Sequence, residues 1–190
     1  MKKFELTGEF VANISGKKLF RIRALVAFGN VEAGELGGYV EKEENLSDDG
    51  DAWVSGDAQV SGNARVYGDA WVYGDARVYG DARVYGNARV YGNAWVSGDA
   101  QVSGDAQVSG NAQVSGDADI LQITGLGTVH RATTVFRTPD GIHIACGCFY
   151  GDLDAFREQV KKTREGKVQR EYLKFADLVE IYFGKDEEDE

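Results

Sequence analysis

The chain has 190 residues, among them 25 glycines and a single proline, Pro139, and a formal net charge of −10. The length allows one domain, or one elongated domain with small appendages. So much glycine without a three-residue period or abundant proline excludes collagen and argues against simple disorder, the negative charge argues against a plain electrostatic grip on nucleic acid or anionic lipid, and no apolar run approaches the ~20 residues of a membrane span. Met1-Lys2-Lys3-Phe4 leads into mixed polar sequence with no apolar core of a signal peptide, so a cytoplasmic location is expected. Two cysteines cannot build a disulfide framework.

Residues 1–35 read as an N-terminal β cap. Phe4-Glu5-Leu6 and Leu19 to Leu25 alternate as strands, with Asn13, Gly16, Gly29 and Asn30 at turns. Residues 36–121 read as a repeat. Leu36–Glu41 and Lys42–Ser47 are two degenerate hexads with Val40 and Leu46 in the aliphatic position, and Asp48-Asp49 is a two-residue offset. From Gly50 to Leu121 the hexads are regular: Gly, Asp or Asn, Ala, a variable residue, Val (Ile120 in the last), and then Ser or Tyr until Leu121. Twelve of the 25 glycines fall on this frame. A short period must be read as a stacked architecture. Ala-x-Val-x alternates as a strand with Ala and Val inward. Gly-Asp and Gly-Asn tolerate positive φ and turn the corner. One coil has no core of its own, so stability comes from stacking coils about 4.8 Å apart.

Residues 122–185 read as a C-terminal α+β unit that caps the open end or binds a partner. Thr133–Thr138 and Ile142–Cys146 flank Pro139-Asp140-Gly141 as a hairpin. Asp152 to Arg164 and Val168 to Phe183 carry helical spacing. Residues 186–190 are an acidic tail that reads as disordered.

The pattern Val-x-Gly-[Asp/Asn]-Ala-x resembles the hexapeptide repeat of left-handed parallel β-helices. The resemblance implies three hexads per triangular coil, a left-handed winding and side-by-side trimers; a homo-oligomer, trimer or dimer, is therefore expected. The fold class is thus expected to be mainly β: a left-handed parallel β-helix of about four to five coils, with a small β cap and a small α+β C-terminal domain. The run Phe28-Gly29-Asn30-Val31-Glu32-Ala33-Gly34-Glu35-Leu36-Gly37-Gly38-Tyr39-Val40, with Glu44-Asn45-Leu46-Ser47, is similar to small phage and prophage proteins described as hexapeptide-repeat, polymer-forming or transferase-like. Cys146-Gly147-Cys148-Phe149 followed by two helices is similar to the ends of the same group. This resemblance implies a bacterial host's cytoplasm, and a phage accessory role such as inhibition of a defence system.

Acyltransferases among the resembling proteins use a histidine base near the coil surface, and zinc enzymes of that fold need three histidines. This chain has two histidines, His130 and His143, and none from Gly50 to Leu121. No catalytic residue and no cofactor are therefore expected; a degenerate acyltransferase and a structural polymer-forming protein are the alternatives. His143, Cys146 and Cys148, with His130, have the ligand types of a zinc site. The stronger reading is core thiols, with Ile142, Ile144, Cys146 and Cys148 on one face and His143 on the other.

Residues eighteen apart stack. The corner columns are Asp51, Asp69, Asn87, Asp105; Asp57, Asp75, Asn93, Asn111; and Asn63, Asp81, Asp99, Asp117. The preferred reading is that they make the turn; the alternatives are binding Ca²⁺ and imitating a phosphate backbone. The outward positions gather aromatic and basic residues in a belt: Trp53, Trp71, Tyr73, Arg89 and Tyr91 on one side, Arg77, Tyr79 and Trp95 on the next, and Arg65, Tyr67, Arg83 and Tyr85 on the third. Such a belt has the composition of a protein interface, of a self-stabilising ladder, or of a platform for single-stranded bases. The interface reading is preferred, with a homo-oligomer and an unidentified protein as partners. Nucleic acid and membrane are not expected.

Overall fold

The computed structural model describes residues 2–184; the tail at 186–190 lies outside the described residues. Strands β1 (Phe4–Ala12) and β2 (Lys18–Ala24) form an antiparallel hairpin. Its tip is held by the Asn13 Oδ1 atom, which accepts from the Ser15 and Lys17 amides. Strand β3 (Leu36–Val40) pairs antiparallel with β2 on one edge. Its other edge runs parallel to the first repeat strand of one prism face, with Val40 opposite Val60. Leu46 bridges Val66 in the same sense. Both separations exceed the regular repeat by the two residues of Asp48-Asp49, so the two degenerate hexads form a partial coil beneath the prism.

The prism has three faces. The first stacks β4 (Trp53–Val54), β7 (Trp71–Val72), β10 (Arg89–Val90) and β13 (Gln107–Val108). The second stacks β5 (Gln59–Val60), β8 (Arg77–Val78), β11 (Trp95–Val96) and β14 (Gln113–Val114). The third stacks β6 (Arg65–Val66), β9 (Arg83–Val84) and β12 (Gln101–Val102). Every pairing is parallel and joins equivalent residues, as Val72 with Val90. Each repeat alanine from Ala52 to Ala112 and each repeat valine from Val54 to Val114 is fully buried. Burying a valine side chain stabilises by about 1.5 kcal/mol or more, so the interior ladders are the main source of cohesion. The corners need glycine: Gly86 sits at φ +70°, and a Cβ there would lie 2.9 Å from the Gly104 nitrogen.

The twelfth hexad leaves the prism, against the sequence expectation of twelve equivalent units. Gly116 is extended at φ −164°, and Asp117–Asp119 form a 3₁₀ turn. The reason is visible in the hydrogen bonds. With no coil above, the amides of Gln101 and Ser115 take the Asp117 Oδ1 and Asp119 Oδ2 atoms as acceptors, both at 2.9 Å. The Gln107 amide takes Thr134 Oγ1 at 3.0 Å. The base is closed the opposite way, by donors. Asn45 Nδ2 reaches the carbonyls of Gly62 and Ala64 at 3.1 and 2.9 Å. Side chains thus stand in for the missing coil at the top of each face and at the base of the third, while the β3 backbone takes the base of the second.

Strands β15 (Ile120–Leu126), β16 (Arg131–Thr138), β17 (Gly141–Cys146) and β18 (Phe149–Asp152) form an antiparallel meander. Helices α1 (Leu153–Thr163) and α2 (Gly166–Phe183) pack against it. Asp152 caps α1 by accepting from the Ala155 amide at 2.7 Å. Phe136 and Ala145 join the solenoid core, whereas Val135 and Ile144 join the helices in a second cluster. The meander therefore lids the top coil. Among the described residues no helix is long and apolar enough to cross a membrane.

Two expected site residues are placed differently. Trp53 was expected on the outer surface and is fully buried. The N-terminal cap folds over it, with Phe28 edge-on at 5.4 Å between ring centroids and Gly37 leaving room beside the indole. Cys148 was expected on the core face of the hairpin and is exposed. Strand β17 ends at Cys146, and Gly147 at φ +63° turns the chain, so the alternation does not extend that far.

Candidate binding belt

The belt is built by translation. Each coil repeats the backbone of the one below, so identical side chains eighteen residues apart meet in register. Tyr73 and Tyr91 stack at 4.9 Å with planes 2° apart, and Tyr67 and Tyr85 at 5.0 Å and 1°. The Arg77 guanidinium lies 5.3 Å from the centre of the Trp95 ring. Burial holds the Tyr73 phenol above its usual pKa, and the Tyr91 phenol adds to this while Arg89 opposes it.

Arg65, Arg77, Arg83 and Arg89 take part in no ion pair among the described residues. Arg65 and Arg83 are register neighbours on the third face, so two like charges face outward one above the other. The corner columns differ. Asn63 donates to Asp81 and Asn87 to Asp105, each at 3.0 Å. Asparagine thus converts a repulsive carboxylate stack into a hydrogen bond at those levels.

On each face the lowest tyrosine stands above a serine rather than another ring: Tyr67 above Ser47, Tyr73 above Ser55, Tyr79 above Ser61. A concavity opens at each of these steps. That on the second face measures about 420 Å³ and is lined by Ile14, Lys17, Ser61, Arg77, Tyr79 and Trp95, among others. That on the first, about 500 Å³, includes Asn30, Ser55, Trp71, Tyr73 and Arg89. That on the third, about 620 Å³, includes Arg65, Tyr67 and Arg83, with Glu43, Glu44 and Asp48 at its rim.

The sequence reading placed eleven of these belt residues outward, as the structure does, and missed what frames them. The hairpin tip overhangs the second face and brings Ile14, 82% exposed, to the groove. Lys17 is fixed there by Glu41 at 2.9 Å. Only the turn residues Asn13 and Gly16 marked this tip, and nothing local in the sequence says which face it meets. A second exposed apolar stripe on α2, Leu178, Ile181 and Tyr182, was also missed; its i, i+3, i+4 spacing is the signal that would have found it.

The histidines and cysteines do not come together. His143 stacks on Tyr150 at 5.2 Å and pairs its Nδ1 with Thr138 Oγ1 at 2.9 Å. Cys146, on the opposite face of β17, accepts from Thr133 Oγ1 at 3.1 Å. His130 Nδ1 lies 3.1 Å from the Gly125 carbonyl. Among the described residues no three His, Cys, Asp or Glu side chains converge as a metal site would require.

Three parallel faces stacked in register by an eighteen-residue coil define a β-solenoid repeat protein. A family model described as the YdcK Beta solenoid repeat matches residues 58–74, 70–86, 76–89, 82–98 and 100–116, all within the hexad region. No curated protein matches the chain significantly.

Proposed function

We propose that the protein is a non-catalytic scaffold whose aromatic–arginine belt binds other macromolecules, including further copies of itself. The observation that carries this reading is the set of four outward arginines without carboxylate partners among the described residues, set beside tyrosine and tryptophan side chains on a rigid prism. Arginine, tyrosine and tryptophan dominate interface energetics. A rigid surface loses little entropy on binding. Capped edges at both ends favour lateral over end-to-end association. The resemblance of the chain ends to phage proteins extends the reading to a phage or host macromolecule in a bacterial cytoplasm, including a component of a defence system.

The test is affinity capture from bacterial lysate with the wild-type chain and with a variant in which Tyr67, Tyr73, Tyr79, Tyr85 and Tyr91 are all serine. A protein retained by the wild type and lost from the folded variant supports the reading. Identical captured sets overturn it.

A further inference from the structure

We propose that the groove on the second face is a pocket for an aromatic side chain next to a single carboxylate on a partner protein. This rests on the reading of the belt as a binding surface and names what the partner presents there.

On the other two faces a tyrosine one coil away stacks in parallel at 4.9 to 5.0 Å. Tyr79 lacks such a neighbour: its column reads Ser61, Tyr79, Ser97. The same translation applied downward from the Tyr79 ring falls above Ser61, in the groove. The vacant position therefore has room for one planar ring, with the Tyr79 ring one coil above it. Trp95 and Ile14 supply apolar walls. Ile14 is an exposed aliphatic side chain, 82% accessible, at the hairpin tip.

The residues lining this groove include two cations: Lys17, neutralised by Glu41 beside the groove, and Arg77, which has no carboxylate partner among the described residues. The third-face concavity has acidic residues at its rim, and the first-face one includes Asp69. Arg77 takes part in no carboxylate pair among the described residues and is aligned by Trp95. A carboxylate beside the aromatic ring would meet it. The surroundings favour a protein side chain over a nucleobase. Asp57 and Asp75 stand on one flanking corner and Asp81 and Asp99 on the other. A phosphate chain leaving the groove would run against these columns, and the chain as a whole is acidic. A single carboxylate stays over Arg77.

The experiment uses the full chain labelled at isoleucine δ1 methyls and the capped peptide acetyl-Gly-Glu-Tyr-Gly-amide. A saturable ring-current shift of the Ile14 methyl is expected, at least fivefold smaller with the same peptide carrying alanine for tyrosine. Ser61→Tyr fills the vacant position from within, and its column already accepts a tyrosine, so the variant should fold and lose the response at least tenfold. Arg77→Gln should weaken it several-fold. No Ile14 shift at millimolar peptide, an equal shift with the alanine peptide, or an unchanged response in Ser61→Tyr overturns the proposal. So does an Ile14 shift with oligo(dT) but not peptide, or one that follows protein concentration alone. If the five-tyrosine variant loses its captured partner while Ser61→Tyr retains it, the pocket is refuted and the belt reading stands.

Discussion

The Lys3 ammonium donates to the Ala52 carbonyl at 2.8 Å, at a position where the next coil up uses backbone. In that coil the Ala70 carbonyl accepts from the Trp53 amide. Lys3 also reaches the Gly50 carbonyl at 3.0 Å and lies over the Phe28 ring at 4.6 Å. It is 4% exposed. A buried charge is tolerated here because the bottom edge of the first face offers carbonyls with no coil beneath.

Lys3→Met removes both hydrogen bonds and should cost about 2 kcal/mol at pH 7. The pH dependence has a definite sign. Burial lowers the Lys3 pKa, although Asp48 and Asp51 pull it up, so between that lowered value and the ordinary 10.5 the folded chain binds fewer protons than the unfolded chain. Stability contributed by Lys3 therefore rises with pH across that interval. The gap between wild type and Lys3→Met, from urea melts at pH 7 and pH 10, should widen at the higher pH. Buried tyrosines act in the opposite direction but are common to both proteins.

Glu41 titrates at the other end of the scale. Its carboxylate accepts from the Gly62 amide at 2.7 Å and from Lys17 at 2.9 Å, and these hold its pKa below the usual carboxylate value. The stability this adds is complete above the unfolded pKa and is lost as pH falls through the folded one. Glu41→Gln should cost about 1 kcal/mol at pH 7, and the difference from wild type should narrow at pH 3. Denaturant melts at the two pH values check it.

Gly86→Ala should destabilise by about 2 kcal/mol or more, because φ +70° and the close Gly104 nitrogen both oppose a Cβ. Gly8→Ala, where a Cβ meets nothing within 4 Å, should stay within about 0.5 kcal/mol. Thermal melts of the two variants separate a corner glycine from a tolerant one.

Thiol reactivity follows burial. Cys148 is exposed, while Cys146 is half-buried and packed on the helical cluster. Ellman's reagent should label one thiol rapidly and the second at least tenfold more slowly. Cys148→Ser should remove the rapid phase. Equal rates would contradict the placement of Cys146.

The repeat was legible because one period fixes every inward position: Val54 and Val114, sixty residues apart, are both fully buried. The degenerate hexads were legible too, since Val40 and Leu46 keep the aliphatic position. What stayed hidden depends on contacts between distant segments. Trp53 occupies the same hexad position as Trp71, and only the docking of Phe28 and Gly37 buries it. Asp117 and Asp119 look like corner and surface residues until the absence of a thirteenth hexad makes them caps. The groove was invisible for the same reason: Ile14 and Tyr79 are 65 residues apart in the chain, and hairpin docking alone brings them to one groove.

The central claim is that the belt is a binding surface rather than a ladder kept for stability. Sedimentation velocity of the wild type and of a Trp71→Ser, Tyr73→Ser, Tyr91→Ser variant tests self-association through it most directly. The account predicts a concentration-dependent dimer or trimer for the wild type and a folded monomer for the variant. A wild type that remains monomeric at all concentrations, or a variant that keeps the wild-type assembly, would contradict it.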